Sequence, residues 1–149
     1  EYRLNAARHF GADAVIHGRE NVSQQVKKVN NGRLADIVIL CSGAPSAIDQ
    51  ALHSADRGGT ILFFAPTEPG VKIAVDLWEI WRDGITIAMS YAGPPAETAA
   101  AIELIRAQRL NIKDMITHRL KLEDTGRGFT IVSEANKSIK VIIEPHREI

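Results

Sequence analysis

Two apolar runs, Ile37–Cys41 and Thr60–Phe64, stand out along the chain because neither alternates polar with apolar positions. Continuous runs of this length fit strands covered on both faces, as in a parallel sheet held between helices. Both stop abruptly at small or turn-forming residues, Ser42-Gly43 after the first and Ala65-Pro66 after the second. In open α/β sheets a ligand lies in the crevice outside the carboxyl ends of the strands. These two tails are therefore where chemistry is expected.

The segments around them read as alternating helices and strands. Glu1–Phe10 has helical spacing, with Leu4, Ala7 and Phe10 on one face and Gly11 placed as a helix-terminating glycine. Ala14–Ile16 reads as a short strand. Asn21 or Ser23 is suited to cap a helix carrying Val22, Val26 and Val29. Pro45-Ser46 opens another, with Ile48, Leu52 and Ala55 inward, and Arg57-Gly58-Gly59 is expected to close it. Asp76–Trp81 reads as a short helical turn and Ile85–Tyr91 as a strand. Pro94-Pro95 starts a long helix with Ala99, Ile102, Leu104 and Ile105 buried. Met115–Leu122 is extended and is expected to leave the layer. A helix from Leu122 to about Asn136, weakened by Gly126 and Gly128, leads into a last strand, Val141–Ile143. Helices between strands throughout imply βαβ units and one compact, doubly wound layer.

Composition narrows the function classes. A chain of 149 residues is one ordinary domain with room for a core. Eighteen Lys and Arg balance eighteen Asp and Glu, which argues against a nucleic-acid partner or an anionic membrane surface. The apolar runs are too short to span a bilayer and no secretory leader opens the chain, so a cytoplasmic protein is expected. The one cysteine, Cys41, fits a reducing compartment and excludes a multi-cysteine zinc site built within these residues. With no general base in view nearby, Cys41 is not expected to act as nucleophile or metal ligand.

Several motifs recur in order: Arg3-Leu4…Ala7…Phe10-Gly11-Ala12-Asp13, Asp36…Cys41-Ser42-Gly43, Arg57-Gly58-Gly59-Thr60, Ile116-Thr117-His118-Arg119-Leu120 and Ser138-Ile139-Lys140-Val141. Together they resemble the cofactor-binding half of the zinc-type medium-chain alcohol and polyol dehydrogenases, nearest to the sorbitol (iditol) and threonine dehydrogenase branches. The resemblance covers nearly the whole chain. It implies an α/β, Rossmann-like parallel sheet lacking its first βα unit or units. The family's glycine-rich phosphate turn, G-x-G-x-x-G, is not in these residues, because Gly43, Gly58 and Gly59 lack its spacing. The acidic ribose-binding residue would lie just upstream of Glu1, and the family's zinc ligands belong to an N-terminal domain. Residues 1–149 are accordingly expected to be the C-terminal part of a NAD(P)-binding domain, binding cofactor weakly or not at all and catalysing nothing alone.

By the same resemblance, each candidate cofactor contact has a role. Arg3 stands where the family places a cation near the adenosine ribose, and favours NADP if no acid precedes it. Cys41, Ser42 and Gly43 border the adenine-ribose and nicotinamide path. Phe64, Ala65 and Pro66 match the stretch whose backbone binds the nicotinamide carboxamide, with Ala65 where the family often has Gly. Ala88, Met89 and Ser90 match the second such stretch; sorbitol-type relatives commonly have Arg at the Ser90 position. Lys140 corresponds to a basic residue near the pyrophosphate. His118 is expected to pack rather than catalyse, and His9, His17, His53 and His146 to lie at the surface. Trp78 and Trp81 suit a cofactor wall, a subunit interface or ordinary helical packing equally.

The implied activity is hydride transfer between a secondary alcohol or polyol and NAD or NADP, with zinc in the N-terminal domain and a homodimer or homotetramer as the assembly. Two alternatives fit the same residues. One is a zinc-free, quinone-reductase-like oxidoreductase. The other is a non-enzymatic nucleotide-binding or dimerisation module.

Overall fold

A computed structural model describes residues 1–65 and 67–146. They divide into two compact units, Ile16–Ala92 and Glu1–Val15 with Gly93–Ile149. Each strand pair formed among the described residues is parallel. The α/β character expected from the sequence is therefore present. The strands form two sheets rather than one continuous layer, β1-β2-β3 and β4-β5.

The first unit holds α2 (Val22–Val29), β1 (Ala35–Leu40), α3 (Pro45–Leu52), β2 (Ala55–Phe63), α4 (Leu77–Asp83) and β3 (Thr86–Met89). Asn21 caps α2 by accepting the Gln24 amide at 3.1 Å. Asp76 caps α4 by accepting from the amides of Trp78 and Glu79. The register aligns Val38 with Ile61 and Ile61 with Ile87, then Leu40 with Phe63 and Phe63 with Met89. These residues share one sheet face, because side chains alternate across a strand. Ile61 on that face is fully buried, and Ile48 and Ala51 of α3 join it, Leu40 and Ala55 in the core.

The opposite face carries Ile37 and Ile39, which are 67% and 58% exposed. The expectation of cover on both faces is corrected here: no described element of this unit buries that face. The apolar run concealed the asymmetry because both faces are apolar.

Arg57-Gly58-Gly59 is a second correction. It does not close a helix, since α3 ends at Leu52 and β2 starts at Ala55. The register jumps from Ala35↔Ala55 to Ile37↔Thr60, so the glycines lie in a bulge. Gly58 has φ +73, and a Cβ on Gly59 would stand 2.7 Å from the Asp56 carbonyl oxygen and 3.1 Å from that of Asp36. The bulge requires backbone-to-backbone approach that only glycine allows. Around it, Arg33 bridges Asp36 and Asp56, and Arg57 and Arg82 both reach Asp83.

The second unit holds α1 (Tyr2–His9), α5 (Pro95–Arg106), β4 (Ile116–Leu120), α6 (Thr125–Glu134) and β5 (Lys140–Ile143). Helix α1 ends as expected: the Gly11 amide donates to Arg8 and the Ala12 amide to Ala7, both at 3.0 Å. Helix α6 packs on the small sheet through Gly128, where a Cβ would meet Leu120, Val141 and Ile143 side chains at 3.3–3.5 Å. The glycine that weakens the helix thus permits its close seating. Two expectations fail here. Ala14–Ile16 is irregular rather than a strand, having no partner to pair with among the described residues. Ile102, Leu104 and Ile105 of α5 are 43%, 48% and 37% exposed, and Ala99 is exposed too. Helix α6 occupies a face of the two-stranded sheet, and α5 has no buried seat.

Two outcomes follow. Gly59→Ala forces backbone oxygens apart and should lower stability by about 1–3 kcal/mol, read as a lower urea midpoint at unchanged slope. The Asp56 carboxyl is held below the ordinary 3.8, chiefly by the Arg57 amide, and Asp83 likewise by its hydrogen bond from Arg82. Their stabilisation is present above 3.8 and is lost as pH falls through the depressed folded values. Thermal scans should show the melting temperature dropping on acidification below that point, and Asp83→Asn should flatten the drop.

Candidate functional site

Three parallel strands end at one rim, and backbone hydrogen bonds tie the ends together. The amides of Phe64 and Ala65 both donate to the Leu40 carbonyl, at 3.0 and 3.1 Å, and the Ser90 amide donates to the Phe63 carbonyl at 3.0 Å. Cys41-Ser42-Gly43 continues β1, Phe64-Ala65 continues β2, and Ala88-Met89-Ser90 straddles the end of β3. Cys41, Ser42, Phe64, Met89 and Ser90 are exposed, whereas Gly43, Ala65 and Ala88 are half-buried. The structure therefore brings together eight of the predicted residues. The ninth of this set, Pro66, lies outside the described residues.

The rim is locally simple. Ser42 accepts the Ala44 amide through its Oγ at 3.3 Å, turning the chain into α3, where Pro45 occupies the first turn. No His, Lys, Arg, Asp or Glu stands among the eight residues. Charge collects instead at the amino ends of the strands, in the ion pairs of Arg33 and Arg57. A rim of this kind can orient a flat ring by backbone groups and shape. It carries no general base.

Beside the rim lies a cavity of ≈ 690 Å³. Phe63, Ile87 and Met89 line it from the strands, Phe64 and Tyr91 from just past the strand ends, and Ile73 from the loop after β2. Sequence reasoning took up Phe64, Met89 and Ser90 but not Ile73, Ile87 or Tyr91. Ile87, Met89 and Tyr91 fall at alternate positions, so period-two spacing through the end of β3 was the available clue.

Arg3 and Lys140 belong to the other unit. The Arg3 guanidinium donates through Nη2 to the Ser138 carbonyl at 3.4 Å. Lys140 opens β5 with its side chain exposed, and its carbonyl accepts the Thr117 hydroxyl at 3.1 Å. Thr117 Oγ1 also accepts the Ile139 amide at 3.1 Å, and His118 Nδ1 lies 3.0 Å from it. Ser138, almost fully buried, donates to the Ile131 carbonyl at 3.1 Å. Both Thr117-His118 and Ser138-Ile139 thus have structural work in joining β4, β5 and α6. His9 pairs with Asp114 at 3.0 Å and, with Asn111, holds that carboxyl below its ordinary value. The rings of Trp78 and Trp81 lie 5.2 Å apart between centroids, tilted by 38°, and are 61% and 74% exposed, so they do not pack into the core.

No group of three or more His, Cys, Asp or Glu side chains is placed to hold a metal among the described residues. These residues do not fit a zinc ion. No described helix is long and apolar enough to cross a membrane.

The family model described as zinc-binding dehydrogenase matches residues 1–107. The L-threonine 3-dehydrogenase of Bacillus licheniformis is 31% identical over 149 aligned residues, covering 97% of this chain and 42% of that protein. The one from Shewanella putrefaciens is 29% identical, covering 96% of this chain and 41% of its own length. The chain thus spans about two fifths of these relatives. Among solved structures, an Escherichia coli oxidoreductase/dehydrogenase of unknown specificity superposes with TM-score 0.83 at 29% identity, over 95% of this chain and 40% of that one. A Sinorhizobium meliloti protein described as a zinc-binding dehydrogenase and bound to NADP gives TM-score 0.81 at 23% identity, over 96% and 42% of the two chains. At that identity the likeness speaks for the fold, which is Rossmann-like.

One local outcome tests the structural assignment of Thr117. Thr117→Val removes the hydrogen bonds to the Lys140 carbonyl and from the Ile139 amide while keeping shape, and should cost about 1–3 kcal/mol by chemical denaturation.

Proposed function

The chain belongs to the zinc-binding dehydrogenase family, and from that premise we propose that it is the cofactor-binding portion of a NAD(P)-dependent alcohol or polyol dehydrogenase. The observation that carries the reading is the convergence of three parallel strand ends into one uncharged, hydrogen-bonded rim. Phe64-Ala65 and Ala88-Met89-Ser90 would hold the nicotinamide carboxamide by their backbone groups, and Cys41-Ser42-Gly43 would border the ribose. A bound nicotinamide supplies the hydride acceptor for the carbinol carbon of the substrate. What this chain contributes is position, not acid–base chemistry.

The exposed apolar face of Ile37 and Ile39 supports a second part of the proposal. It is the surface a preceding βα unit would cover, together with the outer edge of β1. The phosphate-binding turn would then lie in that βα unit, and the zinc ligands in an N-terminal domain of a cytoplasmic enzyme, both outside these residues. The outer edge of β3 is unpaired among the described residues and is the proposed contact for a homodimer or homotetramer. Arg3 and Lys140 are proposed to contact the adenosine ribose and pyrophosphate; the Ser138 carbonyl engages only one of the Arg3 nitrogens.

Cys41, exposed at the rim, gives the test a reporter. In protein that also carries the phosphate-binding turn, its modification by a thiol reagent, followed by peptide mapping, should slow severalfold in millimolar NADH or NADPH. Equal rates with and without the dinucleotides, in that protein shown to be folded, overturn the cofactor assignment.

A further inference from the structure

The cavity beside the rim has a chemistry that bears on the substrate, and the inference rests on the dehydrogenase reading above. Its volume of ≈ 690 Å³ is that of a small-molecule site. Phe63, Phe64, Ile73, Ile87 and Met89 make its wall apolar, with Tyr91 beside them. The hydroxyls of Thr67, Ser90 and Tyr91 are the polar side-chain groups of the lining, and no Asp, Glu, Lys, Arg or His takes part. Phe64 and Met89 join the cavity to the rim, since their backbones belong to the proposed nicotinamide contacts and their side chains to the wall.

We infer that the substrate group lying against this chain is apolar, an aryl or branched alkyl substituent of the alcohol. A polyol would bury several hydroxyls against a wall of mostly carbon, where the hydroxyls of Thr67, Ser90 and Tyr91 are the side-chain partners on offer. A zwitterionic amino acid such as threonine, the substrate named for the curated relatives, would leave its carboxylate and ammonium without counter-charges on this wall. An aryl or alkyl group loses nothing there and gains the transfer of its surface from water. Phe64, at 59% exposed, and Met89, at 73%, have side-chain surface left for such a group to cover.

The chain has two methionines, Met89 in the cavity and Met115 in the other unit, so methyl-labelled methionine gives a probe and an internal control. Titrating the labelled chain with benzyl alcohol should shift the Met89 methyl resonance saturably and leave Met115 in place. Xylitol and threonine at the same concentrations should move neither. Phe64→Ser, which spares the core because Phe64 is exposed, should weaken benzyl alcohol binding roughly tenfold or more. The inference is overturned if xylitol or threonine shifts Met89 as strongly as benzyl alcohol. It is equally overturned if benzyl alcohol moves both methionines alike, or neither. NADH protection of Cys41, read in protein that carries the phosphate-binding turn, separates the apolar site from the cofactor reading. Protection without a Met89 shift leaves the cofactor reading intact and removes the apolar substrate. A Met89 shift without protection leaves an apolar ligand site and removes its role as a substrate wall.

Discussion

Ile61 is completely buried, at the middle of a strand paired in parallel on both edges, and the first unit depends on that burial. Its side chain shares a core with Ile48 and Ala51 of α3 and with Leu40 and Ala55, so the helix can sit only on that sheet face. Burying an aliphatic side chain of this size stabilises by about 1.5–3 kcal/mol, more than any exposed ion pair in the unit can supply. Once Ile61 faces α3, the alternation of the strand places Phe63 on the same face and Leu62 on the other. The parallel register then carries the choice to β1 and β3, aligning Leu40 and Met89 with Phe63. The composition of the cavity wall is a consequence of the same core.

The two ends of this sheet are built differently. At the amino ends, the bulge at Gly58-Gly59 brings backbone against backbone, and arginine–aspartate pairs gather around it. At the carboxyl ends, charge is missing and the chain leaves the sheet through small residues. Backbone hydrogen bonds from Phe64, Ala65 and Ser90 lock the exits together, which gives a ligand a rigid edge. Parallel strands put all their carboxyl ends on one side, so the fold assembles this edge from segments far apart in sequence.

The second unit shows how a family motif can serve packing before function. Thr117 and Ser138 belong to the motifs that carry the family resemblance, and their hydroxyls satisfy backbone groups between β4, β5 and α6. A buried hydroxyl left without a partner is costly, so residues in this role are constrained as strongly as a ligand contact would be. Arg3 is similar, in that its guanidinium reaches the Ser138 carbonyl and so links α1 to the start of β5. A resemblance carried by such residues identifies the fold and family more securely than it identifies a binding site.

Apart from Ala14–Ile16, the order of helices and strands, their parallel arrangement and the places where strands stop were legible in the chain, because they follow from local facts. Apolar runs, the cap at Asn21 and the glycine after α1 act within a few residues of themselves. The rim residues were legible for the same reason: a strand's last residue can be found without knowing its neighbours. Which face of β1 is covered was not legible, since Ile37 and Val38 are equally apolar and only the seating of α3 distinguishes them. Nor was the exposure of α5, whose helical stripe reads as core until no surface is there to receive it. Arg57-Gly58-Gly59 read as a helix stop because glycine breaks helices, whereas its bulge requires a carbonyl from another strand at close range. Burial, bulge and cavity depend on contacts between residues distant in the chain, and local pattern holds no record of those distances.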